Sequence, residues 1–169
     1  MSLLAVQAIG KAFGGVQAVR DVSFALDPGE RLAIIGPNGA GKSTCFNLVG
    51  GQLRPDRGRV VLDGRDVTGL PARAVWRLGI GRTFQVAATF GSMTVAENVQ
   101  TALQSHHRRS LALGPHAHRL YRETALGLLE RVGLREQAER TCGVLAYGDV
   151  KRLELAVALA NAPRLLLMD

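Results

Sequence analysis

Runs of apolar residues separated by turn-forming residues predict a strand-rich first part of the chain. Turn signals occur at Phe13-Gly14-Gly15 and Asp27-Pro28-Gly29, where glycine and proline favour tight reversals. The runs between such boundaries have the length and composition of β-strands and cover residues 4–9, 16–26, 31–35 and 58–64. Because residues 31–35 form a short, nearly continuous apolar run, we expect them to be a buried strand.

Between residues 71 and 97 the pattern changes from strands to helices. Pro71 can begin a short helix that continues through residue 76. Residues 81–85 predict another strand, which ends on the polar Gln85. Thr94 is followed three residues later by Glu97, and this capping-box spacing predicts the start of a helix.

The remainder of the chain is predicted to be helical up to a final strand. Apolar residues recur at helical spacing over residues 120–132, which predicts an amphipathic helix that ends at Gly133. Residues 150–162 are apolar nearly all round, so we expect a buried helix that Pro163 stops. Residues 165–169 predict a buried strand that ends in the carboxylate of Asp169.

Size and composition indicate a single globular domain. The chain has 169 residues, of which 47% are hydrophobic and 21% charged, and a chain of this length buries roughly two-thirds of its unfolded surface. No apolar stretch reaches the roughly 18–20 residues of a membrane span, and no charged-then-apolar leader is visible. Cys45 and Cys142 lie far apart without metal-type spacing, so we expect reduced thiols in a cytosolic protein.

The formal charge of +7 would suit a nucleic-acid partner. Much of the excess is spread singly along the chain, and the densest patch is His106-His107-Arg108-Arg109, followed by His116, His118, Arg119 and Arg122. No aromatic residues interleave with this patch as platforms for base stacking. We therefore expect a solvated basic loop there and no nucleic-acid partner.

One stretch carries a specific chemical pattern, G-x-x-x-x-G-K-[ST], at every fixed position. Its glycines let backbone N–H groups turn inward around a triphosphate. Lys42 can reach the β- and γ-phosphates, and the Ser43 hydroxyl can ligate Mg²⁺. A predicted strand precedes the stretch and a predicted helix over residues 43–49 follows it, which indicates a nucleotide-binding loop. The binding residues are Gly36, Pro37, Asn38, Gly39, Ala40, Gly41, Lys42, Ser43 and Thr44.

Four motifs occur in the order found in ATP-binding-cassette (ABC) ATPases. They are the phosphate loop, Gln85 after a strand, the helix-opening segment Leu145-Ala146-Tyr147-Gly148-Asp149, and an apolar strand ending in Asp169. Over its whole length, the chain resembles this family. Residues 79–85 and the Leu-Ala-Tyr-Gly-Asp form look like the subunits that energise branched-chain amino-acid importers. Related amide, urea and lipopolysaccharide-export ATPases share much of the pattern.

The resemblance implies a role for each matching residue. Phe13 stands where the family usually has an aromatic that stacks on adenine, although it could be an ordinary core or turn residue. Gln85 resembles the glutamine that contacts Mg²⁺ and the attacking water, and with Lys42 it forms the implied catalytic set. The bland alternative for Gln85 is a polar strand end. Asp169 is implied to hold Mg²⁺ together with Ser43 and Gln85.

Residues 145–149, the signature segment, are implied to act on nucleotide held by the other subunit of a dimer. The segment departs from the commonest family form, Leu-Ser-Gly-Gly-Gln. Ala146 lacks the hydroxyl that would donate toward the γ-phosphate, Tyr147 replaces a glycine, and Asp149 replaces the glutamine. Gly148 is retained, and backbone N–H groups at the helix N-terminus still supply an anion site. We therefore expect a weakened role rather than a lost one.

The implied fold is α/β, of the P-loop NTPase (ABC ATPase) type. We expect an ATP-binding core with a β subdomain over residues 1–93, a helical subdomain over 94–140, and the signature helix with the Walker B strand over 141–169. In the family a catalytic glutamate follows the Walker B aspartate and a switch histidine lies downstream, and neither follows Asp169 here. We expect an incomplete ABC domain, the N-terminal part of a longer ATPase, inactive by itself.

The parent protein is implied to hydrolyse ATP, with Mg²⁺, to drive branched-chain amino-acid uptake from the cytoplasmic face of the membrane, where it binds peripherally. Its implied partners are a second ABC ATPase subunit, transmembrane permease subunits and, indirectly, a periplasmic solute-binding protein. One alternative is a related ABC system. Another is a non-transport ABC-type module, which the lack of tandem cassettes or long coiled-coil insertions argues against. The last is a nonspecific basic nucleic-acid-binding protein.

The segment after Gln85, residues 86–93, carries Phe90 and Met93 on a glycine-containing loop with little polar content. Exposed apolar groups of this kind often mark a protein contact. By resemblance, the cytoplasmic coupling helix of the permease docks here. The alternative is that both side chains fold into the helical subdomain.

Overall fold

The computed structural model describes residues 2–83, 89–107 and 120–168. These residues belong to two compact units, Met1–Ile80 and Gly81–Asp169. The first unit carries a four-stranded sheet and two short helices, and the second carries three longer helices. Within the three described ranges, no helix combines the length and apolarity needed to cross a lipid bilayer.

The sheet of the first unit is antiparallel, and the second, first, third and fourth strands of the chain follow one another across it. Leu4 pairs with Leu26 on one side and with Leu62 on the other. Leu4 and Val6 are buried while Ala5 between them is only partly so, as expected for a strand packed on one face. The three predicted strands of this sheet are confirmed. The bounds are β1 Leu4–Phe13, β2 Val16–Leu26, β3 Arg57–Leu62 and β4 Arg65–Asp66.

Both predicted turns are present. Gly14 and Gly15 join β1 to β2 at φ values of 49° and 87°, in the left-handed region that glycine adopts without strain. After β2, the Glu30 N–H donates to the Asp27 carbonyl at 3.1 Å, and the Asp27 N–H donates to the Glu30 carboxylate at 2.7 Å. The two reciprocal bonds reverse the chain ahead of the phosphate loop.

The prediction of a buried strand over residues 31–35 is wrong. Among the described residues no strand pairs with this segment, and Ile35 is 91% exposed. A strand obtains both its hydrogen bonds and the cover for its faces from neighbouring elements, so an apolar run alone does not produce it. The described part of the chain places no pairing strand beside residues 31–35, and the run remains without regular structure.

Two helices complete the first unit. α1, Lys42–Val49, follows the phosphate loop and buries Cys45, Leu48 and Val49. α2, Ala72–Arg77, begins after Pro71, whose φ of −65° suits the residue before a helix. Both helices agree with the predictions. Burial raises the pKa of the Cys45 thiol, which favours the neutral form, and neither Cys45 nor Cys142 forms a disulfide.

The second unit is organised around a helical core. α3 is Val95–His106, α4 is Arg122–Arg131 and α5 is Tyr147–Leu159, with 3₁₀ turns at Arg135–Gln137 and Cys142–Val144. β5, Ile80–Arg82, pairs with β6, Leu165–Leu167. The residues at the centre of the core are fully buried: Val95, Val99, Leu129, Leu134 and Leu153.

The predicted helix boundaries of this unit are largely confirmed. Thr94 and Glu97 form a complete capping box, in which the Thr94 hydroxyl accepts from the Glu97 N–H and the Glu97 carboxylate accepts from the Thr94 N–H. α4 ends shortly before Gly133, which has a φ of 74°. The strand predicted over residues 81–85 is seen as β5, and its last two residues lie outside the described part of the chain.

Candidate nucleotide site and its partner-facing segments

The phosphate loop is shaped by two glycines in the left-handed region. Gly39 and Gly41 have φ values of 83° and 87°, and the Ala40 N–H donates to the Pro37 carbonyl at 3.2 Å. At Gly41 a side chain would also meet the backbone, because a Cβ there would lie 2.2 Å from the Ala18 carbonyl oxygen. Glycine at position 41 is therefore required both by conformation and by the close approach of the loop to β2.

Lys42 closes this loop on itself. Its Nζ donates to the carbonyls of Gly36 and Pro37, both at 2.8 Å. The ammonium is thus held across the mouth of the loop by two neutral acceptors. A phosphate offers a charged acceptor, which attracts the ammonium more strongly than the neutral carbonyls do. The arrangement keeps the ammonium poised for an anion at the loop.

The beginning of α1 faces the same loop. Its N-cap is Gly41, no side chain caps it, and no acidic residue lies in its first turn. The backbone N–H of Cys45 donates to the Gly41 carbonyl at 2.8 Å. In any α-helix the first N–H groups point toward the N-terminal end, where the helix dipole also favours negative charge. The site fits a phosphate group and, through the Ser43 hydroxyl, an oxygen-seeking cation such as Mg²⁺.

Phe13 lies at the end of the hairpin that the phosphate loop contacts. It pairs with Val16 across the β1–β2 turn, and its residue surface is 46% exposed. Ala18, against which Gly41 packs, is two residues beyond Val16, or roughly 7 Å along the strand. An accessible aromatic ring therefore lies close to the loop. Its adenine-stacking role stays a prediction.

An ion pair between Lys11 and Asp56 lies beside Phe13. The Lys11 ammonium lies 5.7 Å from the centroid of the Phe13 ring, a cation–π distance, and 2.6 Å from the Asp56 carboxylate. The Ala12 N–H also donates to Asp56, at 2.8 Å. The hydrogen bond from Lys11 first, and that from Ala12 second, lower the pKa of Asp56.

The signature segment spans the start of α5. Ala146 is the N-cap, and its carbonyl accepts from the N–H groups of Asp149 and Val150 at 2.9 and 3.0 Å. Tyr147 is 75% exposed, and open space surrounds Gly148. No side chain caps the helix, and the residues at its start, 146–148, are exposed. This exposure suits contact with a second molecule.

Two residues that the sequence analysis missed hold the unusual Asp149 carboxylate. Gln137 donates to it at 3.3 Å, and an Arg152 nitrogen lies 3.6 Å from its other oxygen. The available signal was the spacing of Asp149 and Arg152, three residues apart on a helix. The Arg152 guanidinium partly offsets the charge that Asp149 brings to the helix N-terminus, and Gln137 contributes a neutral hydrogen bond.

Residues 89–94, here called the docking loop, connect to the start of α3. Phe90 is 55% exposed, whereas Met93 is only partly exposed, with its sulfur 3.9 Å from the Thr101 hydroxyl oxygen of α3. The alternative in which both side chains are folded away therefore fits Met93 and not Phe90. Asn98, which the sequence analysis also missed, is buried and bonded to this loop.

Several predicted residues lie outside the described part of the chain. They are Gln85 and Asp169, residues 86–88 of the predicted docking segment, and Arg108, Arg109, His116, His118 and Arg119 of the basic patch. The Mg²⁺ roles of Gln85 and Asp169 stay predictions.

Two histidines of the predicted basic patch are described. His107 stacks on Tyr121 with ring centroids 4.7 Å apart. Burial, and then the neighbouring His107, lower the pKa of His106.

Comparison with known proteins agrees with the motif order. The sequence profile of the ABC transporter family matches residues 19–169. The high-affinity branched-chain amino acid transport ATP-binding protein LivG of Salmonella typhimurium is 41% identical over 99% of this chain and 68% of its own length. Its counterpart BraF of Pseudomonas aeruginosa is 38% identical with the same coverage. The lipopolysaccharide export ATP-binding protein LptB of Acidithiobacillus ferridurans is 37% identical over 99% of this chain and 66% of its own.

Solved structures give the same assignment. A nucleotide-free ATP-binding cassette of an ABC transporter superposes with a TM-score of 0.82 at 32% identity, covering 100% of this chain and 69% of that one. A dimeric cassette in a post-hydrolysis state with ADP and Pi gives a TM-score of 0.82 at 28% identity, covering 98% and 73%. The chain has the α/β fold of these cassettes and belongs to the ABC transporter family.

Proposed function

We propose that this chain is the nucleotide-binding part of an ATPase subunit that couples ATP hydrolysis to the uptake of branched-chain amino acids. The observation that carries the proposal is the phosphate loop, where Lys42, two left-handed glycines and the start of α1 converge. The transported solute is inferred from the relatives named for branched-chain amino acid transport, which are about 40% identical over nearly the whole chain.

The roles of the chain's residues follow from this geometry. On binding ATP, the Lys42 ammonium exchanges its two loop carbonyls for phosphate oxygens, and the N–H groups at the start of α1 orient the phosphates. We assign the cation site to Ser43, Gln85 and Asp169, where Mg²⁺ would neutralise charge on the transferring phosphate. Gln85 is proposed to position the attacking water, and Phe13 to carry the adenine ring.

The proposed partners are a second ATPase subunit and a membrane permease. The outward-facing N-terminus of α5 supports the first, because its N–H groups have no capping side chain and its Tyr147 is exposed. A solved cassette of the same fold is dimeric with ADP and Pi. Phe90 on the docking loop supports the second partner. Through the permease the subunit would sit peripherally at the cytoplasmic face of the membrane, with a periplasmic solute-binding protein as an indirect partner.

A related export function is the second candidate. It is favoured by the 37% identity to LptB, which is named for lipopolysaccharide export. The two functions differ in what stimulates hydrolysis. An importer ATPase would respond, through the permease, to its solute-loaded binding protein, whereas an exporter ATPase would respond to its lipid cargo.

The test is ATP hydrolysis by the complete gene product reconstituted with its permease in lipid vesicles. Leucine, isoleucine or valine, added together with the cognate binding protein, is expected to stimulate ATP hydrolysis, and the amino acid is expected to accumulate across the vesicle membrane. Lys42→Ala is expected to abolish the hydrolysis and the accumulation. Hydrolysis that responds to lipopolysaccharide and not to these amino acids would instead favour export. A lack of any Lys42-dependent hydrolysis would refute the ATPase assignment itself.

For the 169-residue chain alone, we infer negligible turnover. Residues 31–35, which lead into the phosphate loop, are largely exposed, and no strand of the described part of the chain pairs with them. A phosphate-release assay with Lys42→Ala as the contamination control tests this inference. Lys42-dependent turnover in the range of about 1–100 s⁻¹, typical of competent phosphoryl-transfer enzymes, would contradict it.

A further inference from the structure

The side-chain amide of Asn98 bonds to the docking loop through both its oxygen and its nitrogen. It lies in the first half of α3, is 3% exposed, and accepts from the Phe90 N–H through Oδ1 at 2.7 Å. Its Nδ2 donates to the Phe90 carbonyl at 3.1 Å and to the Thr94 carbonyl at 2.9 Å. Both backbone polar groups of Phe90 are thus bonded to one buried side chain, which fixes the backbone beneath an exposed ring.

The position of Asn98 would suit an apolar residue. Its helix neighbours Val95 and Val99 are fully buried in the core of the second unit. A buried amide is favourable only when its groups are satisfied, and an unsatisfied one is costly. The three bonds satisfy Asn98, and all three go to residues 90 and 94 of the docking loop.

The opposite side of the docking loop is bonded to the chain that leads into the signature segment. The Cys142 N–H donates to the Met93 carbonyl at 2.9 Å, and the Gly143 N–H donates to the Gly91 carbonyl at 2.9 Å. A side chain at position 143 would crowd this contact, since a Cβ there would lie 3.1 Å from the Gly91 oxygen. Two residues after Gly143 the signature segment begins.

We propose that Asn98 is a positioning residue that fixes the Phe90 loop against residues 142–143, so that permease contact at Phe90 is transmitted to the signature segment. The proposal rests on the proposed function, since it takes a permease as the partner at Phe90. Without the Asn98 bonds the loop would yield to the partner locally. With them, loop and signature segment move as one body.

The chain offers a matched control on the same helix. Gln100 is as deeply buried, at 2%, but its Nε2 donates to the Leu120 carbonyl at 2.8 Å, away from the docking loop. Asn98→Leu and Gln100→Leu therefore each replace one buried amide by the same apolar side chain. Among the described residues, only the first removes side-chain bonds to the docking loop.

The direct measurement is hydrogen exchange of peptides covering residues 89–94 in the complete gene product. Asn98→Leu is expected to accelerate exchange there by at least about fivefold, whereas Gln100→Leu leaves it within about twofold of the wild type. Asn98→Asp, which keeps an acceptor for the Phe90 N–H and loses both donated bonds, serves if the leucine variant does not fold. Equal exchange in the Asn98 and Gln100 variants would overturn the positioning role.

The coupling between the permease and ATP hydrolysis is measured in lipid vesicles that contain the permease. Asn98→Leu is expected to lower permease-stimulated ATP hydrolysis by at least about fivefold, while the KM for ATP and the basal rate of the subunit alone stay unchanged. Gln100→Leu should retain stimulation. Stimulation retained in the Asn98 variants, in a system where the wild type is stimulated, overturns this inference alone. An unstimulated wild type instead contradicts the proposed function.

Discussion

The phosphate loop and the docking loop both lead into helices, but they are held in different ways. The phosphate loop is shaped by neighbours in sequence: glycines at 39 and 41 set its turns, and Lys42 bonds to carbonyls five and six residues earlier. The docking loop is fixed by bonds from Asn98 on the helix that follows it, and by bonds from residues 142 and 143, which lie about fifty positions further along the chain. A local motif can therefore form its loop where the chain before it is exposed, as at Ile35.

The segment before the phosphate loop and the helical core of the second unit also differ in how far they bury large aliphatic side chains. Leu129 lies at the centre of the helical core with no exposed surface, whereas Ile35 is almost fully exposed. We expect Leu129→Ala to destabilise the chain by about 2–5 kcal/mol, because it removes buried apolar atoms and leaves a cavity. Ile35→Ala is expected to change stability by no more than about 0.5 kcal/mol. Urea unfolding measures both, and similar losses would show that residues 31–35 are buried after all.

A glycine series tests how strictly the phosphate loop is determined. Gly41→Ala places a side chain at a left-handed φ and against the Ala18 carbonyl, so we expect a loss of at least about 1–3 kcal/mol. Gly127 lies inside α4 with open space around it, and alanine there should stabilise by about 0.5–1 kcal/mol. Thermal melting of the two variants checks the opposite signs. A neutral Gly41→Ala would mean that the loop does not pack on β2.

The smallest expected effect concerns the charged pair beside Phe13. The pKa of Asp56 is lowered in the folded chain, so its contribution to stability is present above its unfolded pKa of about 3.9 and is lost as the pH falls through the folded value. Asp56→Asn should be less stable than the wild type at pH 6, and the difference should shrink as the pH falls below the unfolded pKa of Asp56. Urea midpoints at several pH values measure this. A pH-independent difference, or the same trend in the exposed control Glu136→Gln, would contradict the assigned cause.

What could be predicted from the sequence follows this division. The phosphate loop, the capping box of Thr94 and Glu97, and the strands bounded by glycine turns depend on residues a few positions apart, and all of them were predicted. Residues 31–35 do not form the predicted strand, because a strand needs neighbouring strands to pair with, and the sequence of the run itself does not specify them. The bonds from Asn98 to Phe90 and from Gln137 to Asp149 were missed because each joins a helix residue to a segment outside that helix, and no local motif marks such a pair. The pairing of Asp149 with Arg152 was signalled by their spacing of three residues and was overlooked.

The central claim is that the phosphate loop binds the triphosphate through Lys42. Calorimetric titration of the 169-residue chain with Mg-ATP tests it most directly, comparing the wild type with Lys42→Ala. Arg135→Ala, which removes an exposed charge paired with Glu130 in the other unit, is the control. Circular dichroism verifies that all three proteins are folded.

We predict that Lys42→Ala weakens Mg-ATP binding by about 1.5–3 kcal/mol, the scale of a charge-assisted hydrogen bond, or roughly 10- to 150-fold in Kd. The Arg135 variant should bind like the wild type. Equal affinity of the wild type and folded Lys42→Ala would contradict the account, because no other side chain of the described phosphate loop carries a positive charge.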